Sequence, residues 1–224
     1  MQILSNLFNK KKEKPKKIVS FDGGGVRVIA GIVFLKKLEV ESGKKISDIF
    51  DMFIGTSAGA FNAACLAHGE MSADELKRYW SKDYLDRIME TSFFWDQASL
   101  IQARPRYETK GRVKVLQEIF GNAALGDSRK PLVTICYDIE ERSHVIHSSD
   151  ITPNITYIDA VCASSAAPMY FPTYQMENGS WMIDGGVVTN NPTLIGFNHA
   201  KKFFNTNNIK VLSIGAGLNK QKIS

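Results

Sequence analysis

Three short stretches hold the residue types that nucleophilic chemistry needs: "DGGGVR" at 22–27, "GTSAG" at 55–59 and "DGG" at 184–186. A hydroxyl nucleophile must be rigid yet open to its substrate. A strand–turn–helix elbow meets both needs when glycines two before and two after the serine relieve crowding. Gly55 and Gly59 flank Ser57 at that spacing, apolar "DMFI" precedes it, and small-residue "SAGAFNAACLAH" follows. The five-residue pattern arises by chance in many chains, so the strand before it and the helix after it carry the weight. The competing reading is packing alone, since small residues let a helix sit close to a sheet.

Attack of a serine on an ester creates an oxyanion, which preorganised backbone N–H groups stabilise. A loop without side chains at a helix N-terminus aims such donors outward, with the positive end of the helix dipole behind them. Gly23, Gly24 and Gly25 lead into a helix expected to begin near Val26 and fit that description, and the Ala58 amide is a natural further donor. The alternative, a nucleotide phosphate loop, lacks support: "GGGVRV" has no third glycine of a GxGxxG fingerprint, and no GK[ST] follows.

The serine also needs a base. His68, His144, His147 and His199 all lie outside glycine-framed turns at strand ends, which makes each a structural or surface residue by expectation. Asp184 does lie in such a turn. A carboxylate at its ordinary pKa is a poor base, but burial beside Trp181, Met182 and Ile183 would raise it. A Ser57–Asp184 pair is therefore workable, beside a Ser57, Asp184, His199 triad in α/β-hydrolase order.

The elements that must position these residues alternate along the chain. "KKIVSF" (16–21), "DMFIG", "PLVTICYDI", "SHVIHSS", "WMIDGG" and "IKVLSIGAG" read as strands, most of them continuous apolar runs. "VRVIAGIVFLKKLEVES" reads as a helix stopped by Gly43, with Ile29, Ile32, Val33 and Leu38 on its inner face. Ser72 and Glu75 stand at capping-box spacing, "RVKVLQEIFGN" stops at Gly121, and "TYIDAVCASSAA" is helical up to Pro168. "PTLIGFNHAKKFF" opens with Pro192 near its first turn. This pattern predicts an α/β fold in three layers, a mainly parallel central sheet with helices on both faces. In such sheets ligands sit at the carboxyl ends of the strands, where all three glycine-bearing stretches fall.

Taken in order, "DGGGVR", "GTSAG" and "DGG" resemble the patatin-like phospholipases, lipid acyl hydrolases related to the catalytic domain of cytosolic phospholipase A2. "SSAAPMYFP", "DGGVVTNNP" and "VLSIGAG" are similar to further family segments, and the resemblance spans roughly residues 17 to 217. It implies that Ser57 is the nucleophile and that Asp184 is the base for both acylation and deacylation. It implies an oxyanion hole of Gly23, Gly24 and Gly25, with Arg27 steadying that loop or meeting a phosphate oxygen. It implies no catalytic histidine, no metal and no cofactor. The substrate it implies is a phospholipid or acylglycerol. The chain departs from the family at Val28, where many members have glycine, and in stopping soon after "VLSIGAG". The expected organisation is a flexible basic tail over 1–16 and one patatin-like catalytic domain over 17–224 that is C-terminally short.

Composition agrees with one globular domain: 44% hydrophobic and 23% charged residues in 224. The net charge of +5 belongs to "KKKEKPKK" (Lys10 to Lys17); outside it, 22 basic and 22 acidic residues balance. The body thus carries no charge signal for nucleic acid. Ile3, Leu4, Leu7 and Phe8 precede the lysines at helical spacing and suggest either a solvated terminus or a weak anchor to anionic membrane. Phe93, Phe94 and Trp95 suggest a mobile apolar lip for an acyl chain, or a small satellite core. Cys65, Cys136 and Cys162 form no CxxC pair and sit in apolar contexts, as buried reduced thiols do. No signal-peptide pattern and no run of ~18 apolar residues is present, so the expected location is cytoplasmic, with peripheral attachment to membranes or secretion by a route without a signal peptide as the alternatives.

Overall fold

The computed structural model describes residues 14–69, 71–91 and 105–217. Among these, one sheet holds β1 (Lys16–Phe21), β2 (Met52–Thr56), β3 (Leu132–Asp138), β4 (Ser143–Ser148), β5 (Tyr174–Gln175), β6 (Trp181–Asp184) and β7 (Ile209–Ile214). The helices are α1 (Ile29–Ser42), α2 (Ile46–Ile49), α3 (Ala58–His68), α4 (Ala73–Arg78), α5 (Lys82–Ile88), α6 (Thr109–Phe120), α7 (Tyr157–Ser164), α8 (Gly186–Thr189) and α9 (Thr193–Phe204). Strands β7, β1, β2 and β3 are parallel neighbours, while β4 and β6 run antiparallel to β3 and β5 antiparallel to β6.

The three layers follow from the period of two in each strand. Ile18, Met52, Ile54 and Val133 face one side, where Phe197, Ala200 and Phe204 of α9 meet them. Their chain neighbours Val19, Phe53 and Leu132 face the other side, under Leu35 of α1, Phe61 of α3, Leu116 of α6 and Val161 of α7. Each fully buried side chain of this size contributes roughly 1.5–3 kcal/mol. The apolar runs read as strands are continuous because both faces are covered.

The register explains how distant segments meet. β4 lines one edge of β3 from Val133 to Asp138. The opposite edge is therefore shared: β2 takes Leu132 to Ile135, and β6 takes Cys136 to Asp138. β2 ends with Thr56 opposite Ile135, and the antiparallel β6 ends with Asp184 opposite Cys136. Two strands thus arrive nose to nose at adjacent positions on β3, which brings Ser57 to Asp184.

Several local expectations hold. Gly43 adopts a left-handed C-cap after α1, and Ser72 with Glu75 forms the capping box that starts α4. Others are corrected. The chain enters α1 through a 3-10 turn at Gly25–Val28, so the α-helix itself starts at Ile29. Leu35 is buried, whereas Val33 is 53% exposed. Val28 has φ −62 and is buried, an ordinary helical conformation that needs no glycine. α7 ends at Ser164 rather than at Pro168, because the Ser165 hydroxyl turns back to donate to the Val161 carbonyl. The tail expected over 1–16 lies mostly outside the described residues, although its last residue, Lys16, begins β1. The Phe93–Trp95 aromatics lie outside them altogether.

Candidate active site

Ser57 is the single residue between β2 and α3, with φ 58 and ψ −128. A non-glycine residue is held in that strained region only where its surroundings force it. Here they do. A Cβ on Gly55 would strike the backbone of Gly59, and one on Gly59 would lie 2.6 Å from the Asp22 carbonyl and closer still to that of Phe21. The two flanking glycines therefore permit strand, turn and helix to press together with the serine at the apex.

The Ser57 hydroxyl donates to Asp184 Oδ2 at 2.5 Å. The other oxygen, Asp184 Oδ1, accepts the Gly186 N–H at 2.7 Å. Both carboxylate oxygens are thus occupied and their directions fixed. Burial pushes the Asp184 carboxyl above the ordinary carboxylate range; the Ser57 and Gly186 hydrogen bonds and, more weakly, the Arg112 charge pull it back. Met182 is buried as expected, but Trp181 is 37% exposed and does not enclose Asp184.

The glycine loop lies against the serine: a Cβ on Gly23 would come within 3.1 Å of Ser57 Cβ. Asn190 pins this loop on both sides, since its carbonyl accepts the Gly23 N–H at 2.9 Å and its amide donates to the Gly23 carbonyl at 3.2 Å. Gly23 is therefore no free donor, which corrects its expected place in an oxyanion hole. The N–H groups of Gly24, Gly25 and Ala58 donate no backbone hydrogen bond among the described residues. These three residues border one cavity together with Ser57 and Arg27. The Arg27 side chain donates to the Gly24 carbonyl at 3.4 Å.

A fourth segment, not assigned a role from the sequence, ties the halves together. The Ser164 hydroxyl accepts the Ser57 backbone N–H at 3.0 Å and donates to the Ile135 carbonyl at 2.6 Å. The Ser164 carbonyl receives the Gly185 N–H, and the Ala166 carbonyl the Asp184 N–H. Residues 164–166 thus brace both ends of the Ser57–Asp184 bond. The clue in the sequence was "SSAAP", small and hydroxylated between helix and strand; nothing in it named the acceptor.

The cavity beyond Ser57 measures about 630 Å³. Phe61, Trp80, Ile88, Leu116, Val161 and Phe171 line it, an apolar chamber with one buried cation, Arg112, in its wall. The histidines lie elsewhere. His199 pairs with Asp150 at 2.9 Å, His68 packs edge-on between Phe120 and Tyr157, and His144 and His147 sit on opposite faces of β4. Burial lowers the His147 pKa to about 4, keeping it neutral. All three cysteines are buried and unpaired, with thiols pushed up by burial, Cys136 to about 12 and Cys162 to about 11. No cluster of metal-ligating side chains and no helix long and apolar enough to cross a membrane occurs among the described residues.

Comparison with known proteins gives a consistent result. The model of the family "Patatin-like phospholipase" matches residues 19–197. Patatin-like protein 4 of Arabidopsis thaliana is 34% identical over 217 residues, covering 83% of this chain and 54% of that protein. A cGAMP-activated phospholipase of Vibrio cholerae is 29% identical over 226 residues, covering 89% of this chain and 63% of that one. The chain thus spans only part of the length of these relatives. The crystal structure of VipD from Legionella pneumophila superposes with a TM-score of 0.57 over 79% of this chain and 46% of its own, at 17% identity, a likeness of fold.

Proposed function

We propose, for a chain that belongs to the patatin-like phospholipase family, that it is a lipid acyl hydrolase of phospholipase A type working through Ser57 and Asp184. The observation that carries this reading is the 2.5 Å hydrogen bond to a buried carboxylate from the hydroxyl of Ser57, a residue that borders an apolar cavity. In the first half-reaction the Ser57 proton passes to Asp184 Oδ2 as Oγ bonds to the ester carbonyl carbon. The resulting oxyanion rests on the amides of Gly24, Gly25 and Ala58. Collapse breaks the bond to the alcohol, which leaves with the proton held by Asp184. In the second half-reaction water attacks the acyl-serine while Asp184 takes its proton, and the fatty acid departs as Ser57 is restored. No step needs imidazole, metal or cofactor.

The cavity suits one fatty acyl chain, and the substrate class is therefore a glycerophospholipid or acylglycerol met at a membrane surface. Val26 after the glycine loop, Met169 and Tyr170 in the segment after α7, and Val187 and Val188 of α8 beside Asp184 are exposed apolar side chains, as interfacial docking requires. A histidine-assisted esterase finds less support, because His199 is engaged by Asp150 and both Asp184 oxygens have other donors.

The test is release of free fatty acid from phospholipid vesicles. Ser57→Ala and Asp184→Asn are each expected to reduce the rate by about 10³-fold or more while remaining folded. Vesicle binding without any fatty acid release by the native chain would instead mark a silent lipid-binding protein. Activity retained in Asp184→Asn would overturn the dyad.

A further inference from the structure

Arg112 of α6 is 5% exposed, yet no carboxylate among the described residues hydrogen-bonds to it. Its Nη1 donates to the Ser165 carbonyl at 2.6 Å, to the Ser165 hydroxyl at 2.9 Å and, more loosely, to the Cys162 carbonyl at 3.5 Å. The guanidinium stacks at 4.0 Å on the Phe171 ring, and Nε and Nη2 have no hydrogen-bond partner among the described residues. Burying an unpaired charge is costly, and helix C-capping alone would be served by a neutral amide. Ser165 stands in the middle of the 164–166 brace that holds the Ser57 N–H and the Asp184 and Gly185 backbones. Phe171, Ser165 and Arg112 border the same cavity as Ser57.

We infer that Arg112 is a positioning residue for the Ser57–Asp184 reaction: it clamps the brace that fixes both partners and brings a buried positive charge into the wall of the same cavity. This rests on the proposed hydrolase reading. The electrostatic half has a physical necessity behind it. A base sunk among apolar groups tends to hold its proton at neutral pH, and a protonated Asp184 cannot take up the Ser57 proton. The groups that act on Asp184 are the Ser57 hydroxyl, the Gly186 N–H, the Cys136 thiol of β3 and Arg112. Of these only Arg112 is charged. Its own pKa is lowered by burial, but from so high a starting point that it remains a cation, and the field of Asp184 acts to keep it one.

The experiment compares the pH profile of kcat/KM in the full chain with Arg112→Gln and Arg112→Lys. A short soluble acyl ester serves as substrate, and the rate of Ser57 labelling by a fluorophosphonate gives a second readout. In Arg112→Gln the acidic limb should move to higher pH, so that about tenfold more activity is lost at pH 5 than on the plateau. Arg112→Lys should restore the limb but not the full plateau, since an ammonium replaces the charge without the forked geometry. A merely structural role would lower the plateau in both variants and leave the limb in place. That outcome, or an unmoved limb at full activity, overturns the inference. A native chain that neither turns over ester nor labels would fail the hydrolase reading itself, which is a separate result.

Discussion

Asp184 sits under two opposed demands. As the proposed base it must be charged at neutral pH, and as a buried side chain it is cheaper neutral, so its folded pKa lies above the unfolded value. The sign of the stability effect follows. The native state binds the proton more tightly than the unfolded chain, so stability from this group is full below the unfolded carboxylate pKa of about 3.9 and is lost as pH rises through the folded value. Asp184→Asn should therefore raise the melting temperature at pH 7 by a few degrees, a gain that vanishes near pH 3, while activity disappears. Thermal melts at the two pH values check this; a melting temperature lowered at pH 7 would show that the ionised carboxylate holds the fold together. At this scale the sequence pointed to Ser57 and Asp184, because glycine spacing marks the turns on which they sit. It was mute about Ser164, Asn190 and Arg112. Each works through a partner more than 50 positions away, and no local pattern encodes such a pairing.

The elements explain why the turn at Ser57 tolerates so little change. Gly59 packs α3 against the carbonyls of Phe21 and Asp22, so the helix touches the end of β1 backbone to backbone. Gly59→Ala should cost about 2–3 kcal/mol by denaturant unfolding, since backbone rather than a flexible side chain would have to move. Gly25→Ala is the control: nothing lies within 4 Å of its added Cβ, and only the φ of 56 charges about 1 kcal/mol. Equal costs at the two sites would refute the close approach. Strand and helix identity were legible here because apolar runs, caps and Gly stops are local. The inner face of α1 was not, since "IAGIVFLKKLEV" is apolar around much of its circumference and periodicity cannot choose between Val33 and Leu35. The early end of α7 depends on the Ser165 back-bond and on Arg112, both settled by packing.

At the scale of the molecule, alternation of strand and helix foretold a three-layer α/β body, and "mainly parallel" describes four of its strands. What alternation could not foretell is that β2 and β6 share one edge of β3 from opposite directions. That arrangement is the reason a serine and an aspartate 127 positions apart meet with an imidazole nowhere between them. Covalent capture of the serine addresses it most directly. A fluorophosphonate reacts only with an activated hydroxyl, and peptide mass identifies the residue modified. The expected result is labelling at Ser57 in the native chain and undiminished in His199→Asn, with labelling abolished in folded Asp184→Asn. Labelling that survives in Asp184→Asn but disappears in His199→Asn would contradict a serine–aspartate dyad.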